Sequence, residues 1–401
     1  MTDQSTEPDA PGQAGMRAGG PIRQLVLKIH SRCNLSCNHC YIYTGVDQSW
    51  RRRPITMAAE TVFRVAERIA EHAQEHALSD FRVVLHGGEP LLAGAAVIDN
   101  VASAVRAMAP AHTRVQLAIQ TNGVLLNDRF LELFHHHRIR VGVSLDGDRV
   151  ANDRHRLSAN GSSSYAAVAR ALAFLGQDCH RDLYAGLLCT IDLRNDPVTT
   201  YENLLEHAPP LLDLLLPHAN WTAAPPGFNH RSGATPYGDW LIAVFERWYS
   251  APRRETGIRL FDSLISLMLG GSSGTTAVGL GDGGLVTVET DGSIEASDAL
   301  KTAAEGAAGT GMTVFAHSFD QAMAHPSISR PSAGLAGLCA ICRSCPVVSI
   351  CGGGLYAHRF REGNDFDNPS SYCADLYRLI EHIRVRIQTD LRALRQVPME
   401  Q

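Results

Sequence analysis

Residues 24–43 read QLVLKIHSRCNLSCNHCYIY, an apolar, strand-like run followed directly by a loop that holds three cysteines. Cys33, Cys37 and Cys40 follow the spacing C-x3-C-x2-C. Thiolates are soft ligands that suit iron–sulfur clusters, zinc or copper(I). Zinc and [4Fe–4S] sites usually take four protein ligands, so three cysteines in one loop would leave one iron of a cluster open to a substrate or cofactor. The stretch predicts a cluster-binding loop behind a first strand.

The pattern of this strand repeats along the chain, because short β-rich runs alternate with helical stretches from about residue 22. Apolar residues at helical spacing predict a helix over 57–77, with Thr56 as its N-cap. Six strands that alternate with helices predict a parallel sheet with right-handed crossovers. Six are fewer than the eight of a closed TIM barrel, so the expected α/β fold is a partial (β/α)6 TIM-like barrel. The predicted strands are 24–30, 81–88, 114–123, 140–147, 183–191 and 214–221, and the other helices are 95–108, 128–137 and 164–176.

The alternation ends near residue 222, and this divides the chain into four parts. We expect a disordered segment over 1–21 and the barrel over 22–222. Bridging helices and a hairpin are expected over 223–300, and a cysteine-rich segment with a C-terminal helix over 301–401. The first segment lacks the charged and apolar regions of a signal peptide.

The composition disfavours several classes of function. The chain has 401 residues, of which 45% are apolar and 19% charged, so a packed core is expected. A net charge of −5 disfavours nucleic acid or an anionic membrane as the partner. No apolar run approaches the roughly 20 residues that span a bilayer. Ten cysteines without a secretory signal indicate metal binding or catalysis in the cytoplasm rather than disulfides.

Three polar motifs, HGGEP, QTNG and SLDG, stand at the ends of predicted strands. The carboxyl ends of parallel strands meet at one edge of the sheet, where such folds place their sites. The two glycines of GGEP allow close backbone approach to a ligand, and their carbonyls with the carboxylate of Glu89 can receive an ammonium group. QTNG and SLDG are also good turn sequences, so a binding role and a turn role both stay open for them.

The C-x3-C-x2-C loop followed by Tyr41 resembles the signature of the radical S-adenosylmethionine (SAM) enzymes. The resemblance implies that Cys33, Cys37 and Cys40 hold a [4Fe–4S] cluster whose fourth iron is chelated by SAM. It also implies that SAM is cleaved to a 5′-deoxyadenosyl radical, and that the fold is the partial barrel. The residues expected to contact SAM are Gly87, Gly88, Glu89, Pro90, Gln120, Asn122, Ser144 and Arg156. For Arg156, a surface salt bridge is the alternative to a contact with SAM.

A second group of cysteines lies near the C-terminus, where five thiols without a secretory context indicate metal. Their spacing resembles the SPASM extension of radical SAM peptide-modifying enzymes. The resemblance implies one auxiliary [4Fe–4S] cluster with four protein ligands, and zinc is the open alternative. The implied ligands are Cys342, Cys345, Cys351 and Cys373.

The likeness to a SPASM segment is incomplete. A full segment holds two auxiliary clusters and needs further cysteines in a hairpin and after the C-x5-C pair. Ser297 stands at the hairpin position and Leu355 at the later one. We therefore expect a single auxiliary cluster. Cys339 is surplus, either as a free thiol or as a replacement for one of the four ligands.

One further motif, HAQEH, runs from His72 to His76 and fits the H-x-x-E-H spacing of a zinc peptidase on a helix. Both histidines are expected on a charged helix face, and the sequence suggests no third ligand. The prediction is a solvated helix surface.

Several stretches together resemble FxsB-type radical SAM/SPASM maturases: VLKIHSRCNLSCNHCYIY, DQSWRRRP, VVLHGGEPLLAG, LLLPHANW and CGGGLYAHRF. Such enzymes join an aromatic ring to the β-carbon of a residue two positions on in a ribosomally made precursor peptide, which gives a three-residue cyclophane. The implied partners are that peptide and an electron donor such as flavodoxin or ferredoxin. The ring must lose a proton, and Asp146 and His86 are the candidate bases.

Two other functions stay open. A Ser/Cys oxidase of the sulfatase-maturase kind, or a thioether-forming maturase, would use the same parts, although such enzymes tend to carry two auxiliary clusters. An iron–sulfur electron carrier is the non-enzyme alternative. The GGEP motif speaks against a carrier, because a carrier needs no SAM site.

Overall fold

One ten-stranded sheet runs through the part of the chain that the computed structural model describes, residues 20–227, 233–281 and 285–396. The strands are β1 (Gln24–His30), β2 (Asp80–Gly87), β3 (Arg114–Thr121), β4 (Arg140–Ser144), β5 (Tyr184–Thr190), β6 (Leu211–Leu215), β7 (Gly257–Ile258), β8 (Leu285–Val288), β9 (Ser293–Glu295) and β10 (Gly309–Thr313). Their order in the sheet is β10-β9-β8-β1-β2-β3-β4-β5-β6-β7. The strands from β8 to β7 in this order are parallel, whereas β9 and β10 are antiparallel to their neighbours.

Thirteen α-helices accompany the sheet in the described residues, of which the first eight connect the parallel strands and the last five follow β10. They are α1 (Ala59–Glu75), α2 (Ala95–Met108), α3 (Asp128–His137), α4 (Arg149–Asp153), α5 (Tyr165–Leu175), α6 (Pro197–Leu205), α7 (Pro236–Tyr249), α8 (Arg259–Met268), α9 (Phe319–Met323), α10 (Pro326–Ser329), α11 (Ala340–Arg343), α12 (Val348–Cys351) and α13 (Cys373–Gln396). Strands β1 to β6 are neighbours in chain order, each separated from the next by at least one helix. This confirms the predicted partial α/β barrel.

Alternation along the strands decides which side chains reach the barrel interior. In β1, Leu25, Leu27 and Ile29 are fully buried in the hydrophobic core. Lys28 and His30 lie between and after them and therefore face the other side of the sheet. The motifs predicted to form the site begin at the ends of β2, β3 and β4, which places them together at one rim of the barrel.

Two of the boundaries that differ from the sequence prediction have a clear physical cause. Helix α1 begins at Ala59 after Ala58, without a side-chain cap, and Thr56 instead forms a β-bridge with His30. The prediction of Thr56 as N-cap is wrong because its backbone is used in pairing with the end of β1. Strand β6 covers Leu211–Leu215 rather than 214–221, because Pro217 has no N–H for the ladder.

The C-terminal part of the chain extends the same sheet. Strand β8 pairs in parallel with β1, and β9 and β10 continue from it, so the predicted hairpin is present. Helix α13 packs against α7. No helix of the described residues is long and apolar enough to cross a membrane. The predicted disorder over 1–21 falls almost wholly outside the described residues, which begin at residue 20.

Candidate active site

The first cysteine loop is fixed to the rim by hydrogen bonds to two other loops. The N–H of Ser36 donates to the carbonyl of Leu157 at 2.7 Å, and Asn38 Nδ2 donates to the carbonyl of Arg154 at 3.1 Å. Just before the cysteines, the carbonyl of Arg32 accepts from the N–H of Glu89 at 2.9 Å. These contacts hold the loop that carries the three partly buried thiols against both GGEP and the segment after β4.

Both glycines of GGEP are required by close contacts. A Cβ on Gly88 would lie 1.8 Å from the hydroxyl oxygen of Tyr43, and one on Gly87 would lie 2.1 Å from the carbonyl oxygen of His30. Any larger residue would therefore push the cysteine loop away from β2. The structure thus packs Gly87 against the end of β1, and Gly88 against Arg32 and Tyr43 on either side of the three cysteines.

Glu89 connects two of the predicted motifs. Its carboxylate is 1% exposed and accepts from the N–H of Leu91 at 3.0 Å, from Thr121 Oγ1 at 2.7 Å and from the N–H of Asn122 at 2.8 Å. Burial raises the pKa of Glu89 to about 7, although these three donors oppose the shift. The carboxylate therefore ties GGEP to QTNG.

QTNG and SLDG meet at the same rim. Gln120 Nε2 donates to Ser144 Oγ at 3.1 Å. Asn122 Nδ2 donates to Asn34 Oδ1 at 2.7 Å and lies 3.8 Å from Cys33 Sγ. Of the residues predicted to contact SAM, Asn122 therefore lies within weak hydrogen-bonding distance of Cys33. Gln120 and Ser144 are hydrogen-bonded to each other.

Asp146 and Arg156 form a buried pair, which corrects the proposed role of Asp146. Arg156 donates from Nε at 2.7 Å and from Nη2 at 3.0 Å to the carboxylate of Asp146, which also accepts from the N–H of Thr190 at 2.9 Å. Burial raises the pKa of Asp146, but the charge and hydrogen bonds of Arg156 outweigh this and hold it below its usual range. A carboxylate held in this way is a poor base. The pair is buried, so Arg156 is not the surface salt bridge considered from the sequence.

The electrostatics of the loop depend on this pair. Burial raises the pKa of Cys37 to about 11, and the charge of Arg156 opposes that shift. Burial likewise raises the pKa of Cys33 to about 12. Thiols in such surroundings stay protonated until a metal takes the place of the proton. The loop is therefore suited to metal binding rather than to nucleophilic catalysis.

A cavity of about 500 Å³ lies inside the barrel below this rim. His86 and Gln120 line it at the rim side, and Leu188 and Leu300 supply apolar wall. His86 Nδ1 lies 3.1 Å from the carbonyl oxygen of Gly87. Burial lowers the pKa of His86, so its imidazole is neutral near neutral pH.

The sequence reasoning missed a network of buried charges beside the cavity. Lys28 Nζ lies 3.1 Å from Asp298 Oδ2 and 3.6 Å from Glu289 Oε1, and Lys301 Nζ lies 2.5 Å from the same Glu289 oxygen. Burial lowers the pKa of Lys28, but the charges of Asp298 and Glu289 outweigh this and raise it. The network joins β1 to the segment after β9. The lysine inside the apolar run LVLKIH is the sequence feature that could have indicated a buried charge with acidic partners.

The second cysteine group is also brought together. Cys339 contacts Cys342. The thiol of Cys373 is close enough to Cys345 and Cys351 for their charges to affect its pKa. Burial raises the pKa of Cys373 to about 11, and these neighbouring thiols add to the shift. All ten cysteines of the chain are free thiols, so the five near the C-terminus are available as ligands.

The spacing of the sulfur atoms tests which metal suits these sites. Bonds of about 2.3 Å place the sulfur atoms of a single zinc site about 3.8 Å apart. Among the described residues, which include every cysteine, no three sulfur atoms lie within 4.8 Å of one another. Three thiols in the first loop and five near the C-terminus are donor sets of the kind that [4Fe–4S] clusters use.

Residues 27–177 match the family model described as the radical SAM superfamily. The chain contains a radical SAM region over these residues. Its cofactors are SAM and [4Fe–4S] clusters. The serine-type anaerobic sulfatase-maturating enzyme of Klebsiella aerogenes is 25% identical over 383 residues, which cover 93% of this chain and 88% of the relative. The cysteine-type anaerobic sulfatase-maturating enzyme of Clostridium novyi is 24% identical over 281 residues, which cover 69% of this chain and 73% of the relative.

Solved structures show the same fold at lower sequence identity. Native anSMEcpe with bound AdoMet and the Kp18Cys peptide is 18% identical, with a TM-score of 0.75 over 92% of this chain and 99% of that one. Streptococcus suis SuiB bound to its precursor peptide SuiA is 14% identical, with a TM-score of 0.57 over 88% of this chain and 76% of that one. The chain therefore shares its overall fold with two peptide-bound structures.

Proposed function

We propose that this radical SAM enzyme joins an aromatic ring to the β-carbon of a nearby residue in a ribosomally made precursor peptide, which gives a three-residue cyclophane. The observation that carries the proposal is the cavity of about 500 Å³ that His86 and Gln120 line together with residues of the C-terminal segment, such as Leu300. Pockets of about 300–1,000 Å³ enclose ligands of drug-like size. An aromatic side chain together with its partner residue requires such room, whereas a single serine or cysteine does not.

The residues at the rim fit the two cofactors, with Cys33, Cys37 and Cys40 for the cluster and the GGEP backbone, Asn122 and Arg156 for SAM. When bound, the cluster and SAM supply the 5′-deoxyadenosyl radical with which this superfamily removes a hydrogen atom. Cys342, Cys345, Cys351 and Cys373 would hold one auxiliary cluster, since Ser297 and Leu355 replace the cysteines needed for a second.

His86 is the base that we assign to the reaction. Joining the ring to the β-carbon removes one hydrogen atom, one electron and one proton from the peptide. The 5′-deoxyadenosyl radical would take the hydrogen atom, the auxiliary cluster would accept the electron, and a neutral imidazole can accept the proton. The carbonyl of Gly87 only accepts hydrogen bonds, so Nδ1 of His86 carries the ring proton and Nε2 keeps its lone pair. The side chain lines the cavity, and Asp146 is held by Arg156.

A second opening gives the peptide a route into the cavity. Arg82 and Arg259 line both the interior cavity and an adjoining groove of about 420 Å³, and Arg140 lines the groove as well. Asp213 lies 2.8 Å from Arg259, while the side chain of Arg82 makes no hydrogen bond or ion pair within the described residues. We infer that acidic residues of the precursor occupy this groove.

The location we propose is the cytoplasm, and the electron donor a flavodoxin or ferredoxin. Ten free thiols and no disulfide among the described residues support a reducing compartment.

A second candidate function is the oxidation of a peptide serine or cysteine to an aldehyde. The relatives named as serine-type and cysteine-type sulfatase-maturating enzymes favour it. Both candidates remove two hydrogen atoms from the peptide, so the loss of mass alone does not separate them.

Tandem mass spectrometry of a candidate precursor, co-expressed under anaerobic conditions with the enzyme, separates the two. A cyclophane suppresses backbone fragments within a three-residue stretch that begins with an aromatic residue, and a hydrazide reagent leaves the product unchanged. An aldehyde fragments normally and gains the mass of the hydrazide at a former serine or cysteine, and this result would overturn the cyclophane proposal.

A further inference from the structure

Two histidines of α1 and an aspartate of α9 form a compact cluster outside the barrel cavity. The N–H of His76 donates to the carbonyl of His72 at 3.1 Å, so the two side chains lie one turn apart on the same helix face. His72 Nδ1 lies 3.1 Å from Asp320 Oδ2, and His76 Nε2 lies 2.5 Å from Asp320 Oδ1. His72 and His76 are the two histidines of the HAQEH motif. Asp320 supplies the third possible ligand, which the sequence did not suggest.

We propose that His72, His76 and Asp320 bind one zinc ion. Their ligand atoms all lie within 4.8 Å of one another, and no other group of three histidine, cysteine or acidic residues in the described part of the chain does so. Zinc bonds of about 2.0–2.2 Å to nitrogen and oxygen place neighbouring tetrahedral ligand atoms about 3.3 Å apart. The two histidine–aspartate distances, 3.1 and 2.5 Å, lie below that value, so an ion requires these side chains to move apart by about 1 Å or less.

The three side chains differ in exposure, and this difference fits a zinc site with three protein ligands and one open position. The side chain of His72 is 0% exposed, that of His76 29% and that of Asp320 39%. Burial lowers the pKa of His72, and the neutral imidazole is the form that binds a metal. The exposed side of His76 and Asp320 leaves the fourth position to water.

The backbone around the cluster is held independently of any ion. Ser318 and Gln321 form a reciprocal cap at the start of α9, and Phe319 packs edge-on to His72 with ring centroids 6.3 Å apart. Arg68 Nε on α1 donates to the carbonyl of Val314 at 2.8 Å. The ligands are therefore preorganised, and an ion would join the first barrel helix to the segment that leads to the second cysteine group.

Zinc content and zinc coordination of the holoenzyme test this site. The protein with its iron–sulfur clusters intact is equilibrated with micromolar Zn²⁺, and bound zinc and iron are measured by mass spectrometry of the elements. X-ray absorption at the zinc edge then gives the ligand distances. The variants are Asp320→Asn and His76→Gln. Asp99→Asn is the matched control, because it removes a single His–Asp contact, His137 Nε2 to Asp99 Oδ1 at 2.6 Å.

We expect one zinc per chain with bonds near 2.0–2.1 Å to nitrogen and oxygen and none near 2.3 Å to sulfur. Asp320→Asn and His76→Gln are expected to weaken zinc binding by at least tenfold with iron content unchanged, and Asp99→Asn to bind zinc as the native protein does. Sulfur ligation, or equal zinc affinity in the native protein and both ligand variants, would show that Asp320 only hydrogen-bonds the two histidines. If one ligand variant fails to fold, the other and the spectrum of the native protein still decide.

Discussion

The buried pair of Asp146 and Arg156 gives the sharpest stability prediction. Asp146→Asn keeps the size of the side chain but leaves the guanidinium of Arg156 without its counter-charge. The two side chains are 1% and 12% exposed, and breaking a buried ion pair from one side costs about 3–5 kcal/mol. An unfolding entropy of about 2.1 cal/mol/K per residue converts this cost into a fall in Tm of roughly 4–6 °C for a chain of this length.

Anaerobic differential scanning calorimetry of the cluster-loaded enzyme measures that fall. Glu305→Gln is the control, because Arg52 and Glu305 form an ion pair at 3.2 Å with side chains 73% and 57% exposed. Such surface pairs contribute about 0–1 kcal/mol, so Tm should move by about 1 °C or less. Replacing both partners, as in Asp146→Leu with Arg156→Met, should restore part of the loss. A fall in Tm for Asp146→Asn no larger than that of the control would refute the reasoning.

Three further predictions concern the proposed reaction. Cys351→Ala should lower bound iron from about eight to about four ions per chain, measured by iron analysis, because one of two four-iron clusters loses a ligand; an unchanged iron content would contradict the assignment. Arg82→Gln should raise KM for an acidic precursor by about tenfold, equivalent to about 1.4 kcal/mol, with little effect on SAM cleavage without peptide; an unchanged KM would remove Arg82 from the peptide route. The lowered pKa of His86 keeps the base neutral above pH 6.5, so product yield should be flat from pH 8 to 6.5 and decline only below. His86→Gln should cut product formation at least 100-fold while 5′-deoxyadenosine is still released, whereas full product yield in that variant would assign the base elsewhere.

The sequence alone was sufficient for features that depend on local pattern. The alternation of strands and helices predicted β1 to β6 in their order, and the C-x3-C-x2-C loop behind β1 predicted where the site begins. GGEP was placed at the rim because a parallel sheet brings the ends of its strands together. These inferences need only chain-local periodicity and one rule about parallel sheets.

Features that depend on contacts between distant parts of the chain could not be predicted. His76 and Asp320 are 244 residues apart in sequence, so HAQEH was read as a solvated helix face. Asp146 was a candidate base until its pairing with Arg156 was visible. The inward turn of Glu89 likewise depends on Thr121 and Asn122 at the end of another strand. Only the packed fold shows which polar groups already have partners.

The most direct test of cyclophane formation uses a precursor peptide whose aromatic residue carries deuterium at every ring position. Bond formation between the ring and a β-carbon replaces one ring deuterium, which His86 would pass to solvent, so the modified peptide should retain one fewer ring deuterium than the starting peptide. A modified peptide that has lost two hydrogen atoms elsewhere and keeps every ring deuterium would contradict cyclophane formation and favour side-chain oxidation.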